Sequence, residues 1–311
     1  MSQTVVSLPH PGLKFVTDGG LETDLIFHHG VDLPHFAAFP LLDSRVGRGL
    51  LKDYYEGYAQ VASEAGAGLL LESPTWRANT DWGDRLGYDA VALGRVNAQA
   101  VRWLAELRSE YYARDDGPTG PVLVGGVVGP RGDGYRLDKA IDPGEAEAYH
   151  RPQVEAFAAE DADLVTAYTL TDVGEAIGVV RAARAVDLPV AISFTVETDG
   201  RLPSGMRLAD AVHAVDGDAP PDYFLVNCAH PDHIAAGLAV HGDWRSRIRG
   251  LRVNASAKTH AELDEAEELD EGDIPDLVRG HASLAKVLPS LSVVGGCCGT
   301  DSRHVAALWS A

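Results

Sequence analysis

Eight short β-branched apolar runs, each followed by a stretch of helical periodicity, constrain this chain more than any other feature of its sequence. They are residues 15–20 (FVTDGG), 67–73 (AGLLLES), 121–129 (PVLVGGVVG), 162–169 (ADLVTAYT), 189–197 (PVAISFTVE), 223–229 (YFLVNCA), 248–256 (IRGLRVNAS) and 291–299 (LSVVGGCCG). Such runs suit strands buried on both faces, and an intervening helix is how parallel strands are wired together. Leu51, Tyr54, Tyr58, Val61 and Ala65 recur at three- and four-residue spacing, as do Leu93, Val96, Ala100, Leu104, Leu107 and Tyr111; each set predicts a helix with one buried face. Asp172 followed by Glu175 reads as a capping box opening the helix after the fourth strand, and Asp301 as the cap after the eighth. Eight such units in 311 residues, with no linker or compositional break, predict one domain over residues 1–311. The fold expected is α/β, a closed (β/α)8 TIM barrel rather than an open doubly wound sheet.

Composition narrows the partners. Acidic residues outnumber basic ones 46 to 26, and a formal charge of −20 repels phosphate backbones and anionic headgroups. Neither nucleic acid nor a membrane is therefore expected. The opening MSQTVVSLPHPG lacks a cationic flank and an apolar stretch of signal-peptide length, and no run of about 18 apolar residues occurs. Three cysteines cannot all pair and are too sparse for a disulfide scaffold, so a reduced, cytoplasmic location is expected. A homo-oligomer is compatible with the sequence and not dictated by it. Residues 261–273 (AELDEAEELDEGD) carry eight carboxylates and read as a solvated loop or helix face between the seventh and eighth strands.

In a barrel of this kind chemistry gathers at the carboxyl ends of the strands, which makes Asp18, Glu72, Gly129, Tyr168, Glu197, Cys228, Asn254, Cys297 and Cys298 the candidates. All three cysteines fall at two of those ends, about 70 residues apart in sequence. They read as a metal site, as a redox pair with a spare thiol, or as three buried small hydrophobes. Glycines flanking the pair in GGCCGT (295–300) leave room for an ion. Three soft ligands with no fourth nearby point to zinc with an open position; His230, just past the sixth strand, is a candidate fourth ligand or a loop cap. Three thiolates make such an ion a poor activator of water and a good holder of a further sulfur. The substrate expected is then a small thiol, and the reaction alkyl transfer to it.

These residues resemble the zinc-dependent homocysteine S-methyltransferases, among them the betaine- and S-methylmethionine-using enzymes. The resemblance runs over essentially the whole chain. VNC (226–228) and GGCCGT (295–300) carry it, with support from DGG (18–20), VVGPRG (127–132) and YHRPQ (149–153). It implies the (β/α)8 barrel, zinc on Cys228, Cys297 and Cys298, and homocysteine held by its sulfur. It further implies contacts from Asp18, Gly19, Gly20 and Leu21 to the amino acid's charged ends. Family members carry a glutamate at the fourth strand end that pairs with the homocysteine ammonium; here Tyr168 stands there, which leaves open homocysteine held differently or another small thiol. For a cationic methyl donor, aromatic and carboxylate side chains are expected, and Glu72, Trp76, Trp82 and Tyr88 offer a cage. The competing reading has the tryptophans covering the rim and Glu72 paired with Arg77 or Arg85. A zinc or thiol sensor of the same fold is the alternative function, with Tyr168 marking lost catalysis.

Overall fold

Eight parallel strands pair in sequence order and the eighth returns to the first, closing a barrel. The structure, a computed structural model, describes residues 12–132, 134, 140–266 and 268–310. The strands are β1 (Phe15–Val16), β2 (Gly68–Glu72), β3 (Val122–Val128), β4 (Leu164–Leu170), β5 (Val190–Phe194), β6 (Tyr223–Ala229), β7 (Ile248–Val253) and β8 (Val293–Gly296). Each lies inside its predicted run or overshoots it by one residue. The residues that close several runs leave the hydrogen-bonded ladder and form the mouth instead.

The helices are α1 (Leu21–Phe27), α2 (Arg45–Ala65), α3 (Thr80–Leu86), α4 (Ala90–Tyr112), α5 (Pro143–Ala158), α6 (Val173–Arg184), α7 (Leu208–Asp218), α8 (Pro231–Gly237), α9 (His260–Asp264), α10 (Ile274–Ala285) and α11 (Ser302–Trp309). The periodic residues predicted for α2 and α4 are buried, except Ala65, which lies exposed in the last turn before the left-handed cap Gly66. Asp301 caps α11 as expected, and Asp172 caps α6 by accepting from the N–H groups of Gly174 and Glu175. Glu175 does not complete a capping box: its Oε1 accepts from Arg131 N and meets His150 Nε2, clamping the loop after β3 onto α5.

Side chains on alternate strand positions fill two separate volumes. Phe15, Leu70, Val127, Leu164, Tyr168, Ala191, Tyr223, Leu225 and Val293 pack inside the barrel. The other strand faces join the helices in a larger outer core that includes Val226, Leu251 and Val294. In the acidic stretch, Asp270 accepts from Ser256 Oγ, Asp273 caps α10, and Glu271 pairs with Arg303. Part of it is thus structural rather than simply solvated; Glu267 and the Asp264 side chain lie outside the description. Residues 1–11, which carried the reading of the amino terminus, also lie outside the described residues. Among those described, no helix is long and apolar enough to cross a membrane.

Candidate active site

Strict alternation would send Cys228, next after the inward-facing Asn227, outward to the helices. A register shift between Asn227 and Ala229 prevents this, and Cys228 takes a left-handed backbone (φ +55°) that a non-glycine residue rarely adopts. β4 carries the matching irregularity, with Thr169 at φ +63°. Asn227 secures both bends: its Oδ1 accepts from Thr169 N (2.9 Å) and Ser193 Oγ (2.7 Å), and its Nδ2 donates to Thr169 Oγ1 (2.9 Å). Such a conformation costs roughly 1–3 kcal/mol and persists only where its surroundings over-determine it. Here the strain is spent on aiming a thiol.

The partner thiols arrive from the turn after β8. That turn is stitched to the end of β1: Gly296 N donates to Asp18 O (2.9 Å) and Gly20 N to Thr300 O (3.0 Å). A Cβ on Gly20 would stand 2.6 Å from Cys297 O, so only glycine allows the two segments to meet. The result brings together Cys228, Cys297 and Cys298, whose Sγ atoms all lie within 4.8 Å of one another, Cys228 to Cys298 at 3.6 Å. A zinc ion bound tetrahedrally at about 2.3 Å from each sulfur spaces them about 3.8 Å apart, so the trio fits that ion. Hydrogen bonds from Cys297 and Cys298 hold the Cys228 thiol well below its ordinary range and push the other two up. A bound cation would favour the thiolate form of all three. His230 is not part of this set. It caps α8, with Nδ1 accepting from Asp232 N.

Inside the mouth, Arg252 from β7 sits between two carboxylates. Its guanidinium lies 2.7 Å from Asp18 Oδ1 and 2.8 Å from Glu72 Oε2, and donates to Gly19 O and Gly296 O. Arg252, Asp18 and Glu72 are 8%, 6% and 2% exposed. Tyr168 OH donates to Glu72 Oε2 (2.6 Å), and its ring lies 4.7 Å from the guanidinium carbon. Thr17 Oγ1 also reaches Glu72 Oε2 (3.0 Å), and Tyr54 OH donates to Asp18 Oδ2 (3.1 Å). Burial raises the pKa of both carboxylates, an effect that Arg252 opposes. Arg252 itself stays protonated because Asp18, Tyr168 and Glu72 outweigh its own burial.

Two cavities adjoin the thiols. The smaller, about 80 Å³, is lined by Asp18, Gly19, Gly20, Leu21, Glu72 and Tyr168, with Trp76, Arg252, Cys297 and Cys298. The larger, about 300 Å³, is lined by Cys228 and Cys298, by the apolar side chains of Ile26, Phe27, Leu263 and Leu269, and by Arg77, His260, Glu268 and Asp270. Phe36 and Trp76 border both. Of the cage suggested by residues 70–88, only Trp76 faces the larger cavity. Trp82 is covered by Arg77 (3.9 Å) and Arg85 (4.6 Å), and Tyr88 donates to Asp43 Oδ2. Glu72 pairs with Arg252 rather than with Arg77 or Arg85.

Sequence reasoning missed Arg252, Asn227 and His260. Arg252 lies two residues before Asn254, on a strand that carries a second arginine, Arg249. His260 Nε2 lies 2.6 Å from Cys228 O and its Nδ1 3.2 Å from Glu197 Oε1. Burial opposes its charge, but the contacts with Cys228 and Glu197 lift its pKa to about 10. Nothing in its sequence context signals this. The YHRPQ residues turn out to be supports: Gln153 Nε2 donates to Thr75 O and Asn97 Oδ1, and His150 meets Glu175.

A thiol trio beside a charged pocket, at the carboxyl mouth of a (β/α)8 barrel, defines a barrel enzyme that handles small thiols. The chain belongs to the homocysteine S-methyltransferase family, whose model matches residues 15–311, and is a thiol methyltransferase. It is 28% identical over 270 residues to the homocysteine S-methyltransferase of Escherichia coli (strain K12), covering 82% of this chain and 81% of that protein. The fold is shared with the homocysteine methyltransferase MmuM from Escherichia coli. Its metallated form superposes with a TM-score of 0.72 at 21% identity over 96% of both chains. The oxidized form gives 0.73 at 22% identity, over 96% of this chain and 95% of that one.

Proposed function

We propose that the protein is a zinc-dependent enzyme that moves a methyl group from a sulfonium or quaternary ammonium donor to the thiol of homocysteine, giving methionine. The observation that carries this reading is the convergence of three sulfurs from β6 and the β8 turn within 4.8 Å, beside a small charged cavity. Zinc on Cys228, Cys297 and Cys298 would favour the thiolate form of an incoming thiol and keep it nucleophilic. The protein's own residues do the rest. Asn227 holds the strained Cys228 turn and donates toward Cys297 Sγ at 3.9 Å. Asp18, Glu72 and Arg252 orient the acceptor in the smaller cavity, and the larger cavity, which shares Cys298 with it, takes the donor.

A thiolate and a cationic donor neutralise each other as the methyl group passes, so a dry mouth that holds them in line lowers the barrier. The leaving group departs neutral and needs no proton. Among the described residues, no histidine lines the smaller cavity. Three free thiols as working ligands suit a reducing compartment, which supports the cytoplasmic location proposed for the protein. The test is direct. Zinc-loaded protein given homocysteine and either S-methylmethionine or betaine, each with a deuterated methyl group, is expected to yield labelled methionine by mass spectrometry. Absence of any methylated thiol across both donors would overturn the proposal.

A further inference from the structure

Across the β6–β7 ladder the register passes from Asn227 opposite Arg252 to Ala229 opposite Val253, so Cys228 has no residue facing it on β7. Side chains meet its carbonyl oxygen: His260 Nε2 lies 2.6 Å away and Thr195 Oγ1 donates at 3.3 Å. A carbonyl held from two sides fixes the peptide that follows the left-handed residue, while Asn227 fixes the one before it. His260 is itself held in place. It opens α9 directly behind Thr259, whose capping box with Glu262 sets the first turn, and its Nδ1 lies 3.2 Å from Glu197 Oε1, just past β5. The side chain is only 10% exposed. The imidazole is thus strung between a carboxylate and the carbonyl of a thiol residue, the placement from which a residue outside a ligand set orients one inside it.

We infer that His260 is a positioning residue for Cys228, and Glu197 for His260: the pair holds the Cys228 carbonyl so that the sulfur stays turned toward Cys297 and Cys298. His260 lies outside the lining of the smaller cavity and acts through Cys228. It also lines the larger cavity beside Leu263, so one short helix supplies both a wall of that cavity and the hold on a thiol. The inference rests on the trio being the metal site, as proposed above.

The test reads the trio without turnover, as zinc affinity measured by competition with a chelator. His260→Phe keeps a flat ring, loses both polar contacts and should weaken zinc about 10- to 100-fold. His260→Gln can place an amide N–H where Nε2 stood and should bring affinity back to within about threefold of wild type. In cobalt-substituted protein the thiolate-to-metal absorption should change in His260→Phe and match wild type in His260→Gln. Unchanged zinc affinity in His260→Phe would overturn the inference, as would an equal loss in both variants, which would leave packing as the cause. Glu197 is 34% exposed, so Glu197→Ala keeps the test decisive if His260→Phe does not fold. It should weaken zinc about threefold, and wild-type affinity there would overturn the pairing. Selective carbon-13 labelling of the three cysteine carbonyls reads the same contact in metal-free protein, where the Cys228 resonance should shift in His260→Phe and hold in His260→Gln. A protein that shows this shift but binds no zinc would sink the proposed zinc chemistry and leave His260 as the holder of the Cys228 turn.

Discussion

The two cavities that meet at the thiols are built on opposite principles. The smaller is sheathed by buried charges whose atoms are fixed by strand backbones, from Asp18 on the β1 end through Glu72 on β2 to Arg252 on β7. The larger is walled by Ile26, Phe27, Leu263 and Leu269 from α1 and the β7–β8 connection, with Arg77, His260, Glu268 and Asp270 also in its lining. Fixed charges discriminate strongly, because a ligand lacking the matching group leaves them unpaired; apolar walls discriminate by about 1–3 kcal/mol per methylene. On the proposed assignment of the two cavities, the acceptor side discriminates by fixed charge and the donor side chiefly by shape.

Four substitutions probe that contrast. Cys298 borders both cavities, so Cys298→Ala should abolish zinc retention and lower kcat/KM for transfer by about 1,000-fold or more, with circular dichroism unchanged. Retained stoichiometric zinc would refute the ligand assignment. Arg252→Met leaves Asp18 and Glu72 buried against each other without their cation. It should cost about 3–5 kcal/mol in urea denaturation, and a loss under 1 kcal/mol would mean that the charged side is not a rigid frame.

On the apolar side, Leu269→Lys sets a like charge in the path of a cationic donor. Donor KM should rise about tenfold while homocysteine KM stays within about twofold, and equal changes in both would erase the division of labour. The smallest effect concerns pH. Burial lifts the Glu22 carboxyl from its ordinary 4.5 to about 7, so it keeps its proton until the pH passes that value. Above it, one more negative charge faces the acceptor. Homocysteine affinity should therefore rise about threefold from pH 6 to 8 relative to Glu22→Gln, measured by titration, with no such trend for the donor. Parallel pH profiles for wild type and variant would remove Glu22 from the charged side.

How much was legible beforehand follows from the same geometry. The barrel was readable because its apolar runs must be buried on both faces, and the thiols because only three cysteines exist and all stand at strand ends. Tyr168 could be seen as an anomaly. What it does could not, because the carboxylate it serves, Glu72, comes from a strand 96 residues away. The charge that resembles a loss on β4 is present on β2. Arg252 shares β7 with a second arginine, Arg249, and which guanidinium points into the barrel follows only once the strand's inward face is known. The left-handed turns at Thr169 and Cys228 were equally hidden, being imposed by Asn227 on residues with no preference for them. Trp82 and Tyr88 misled because spacing in a loop does not encode side-chain direction, and cations or carboxylates nearby had already claimed them.

The central claim is that three sulfurs hold one zinc ion and leave a corner for a fourth. X-ray absorption at the zinc edge of the loaded protein, before and after adding homocysteine, tests this most directly. Three sulfur neighbours at about 2.3 Å plus a lighter atom are expected, changing to four sulfurs when the thiol is added. Fewer than three sulfurs at the start, or a spectrum unmoved by a saturating thiol, would contradict it.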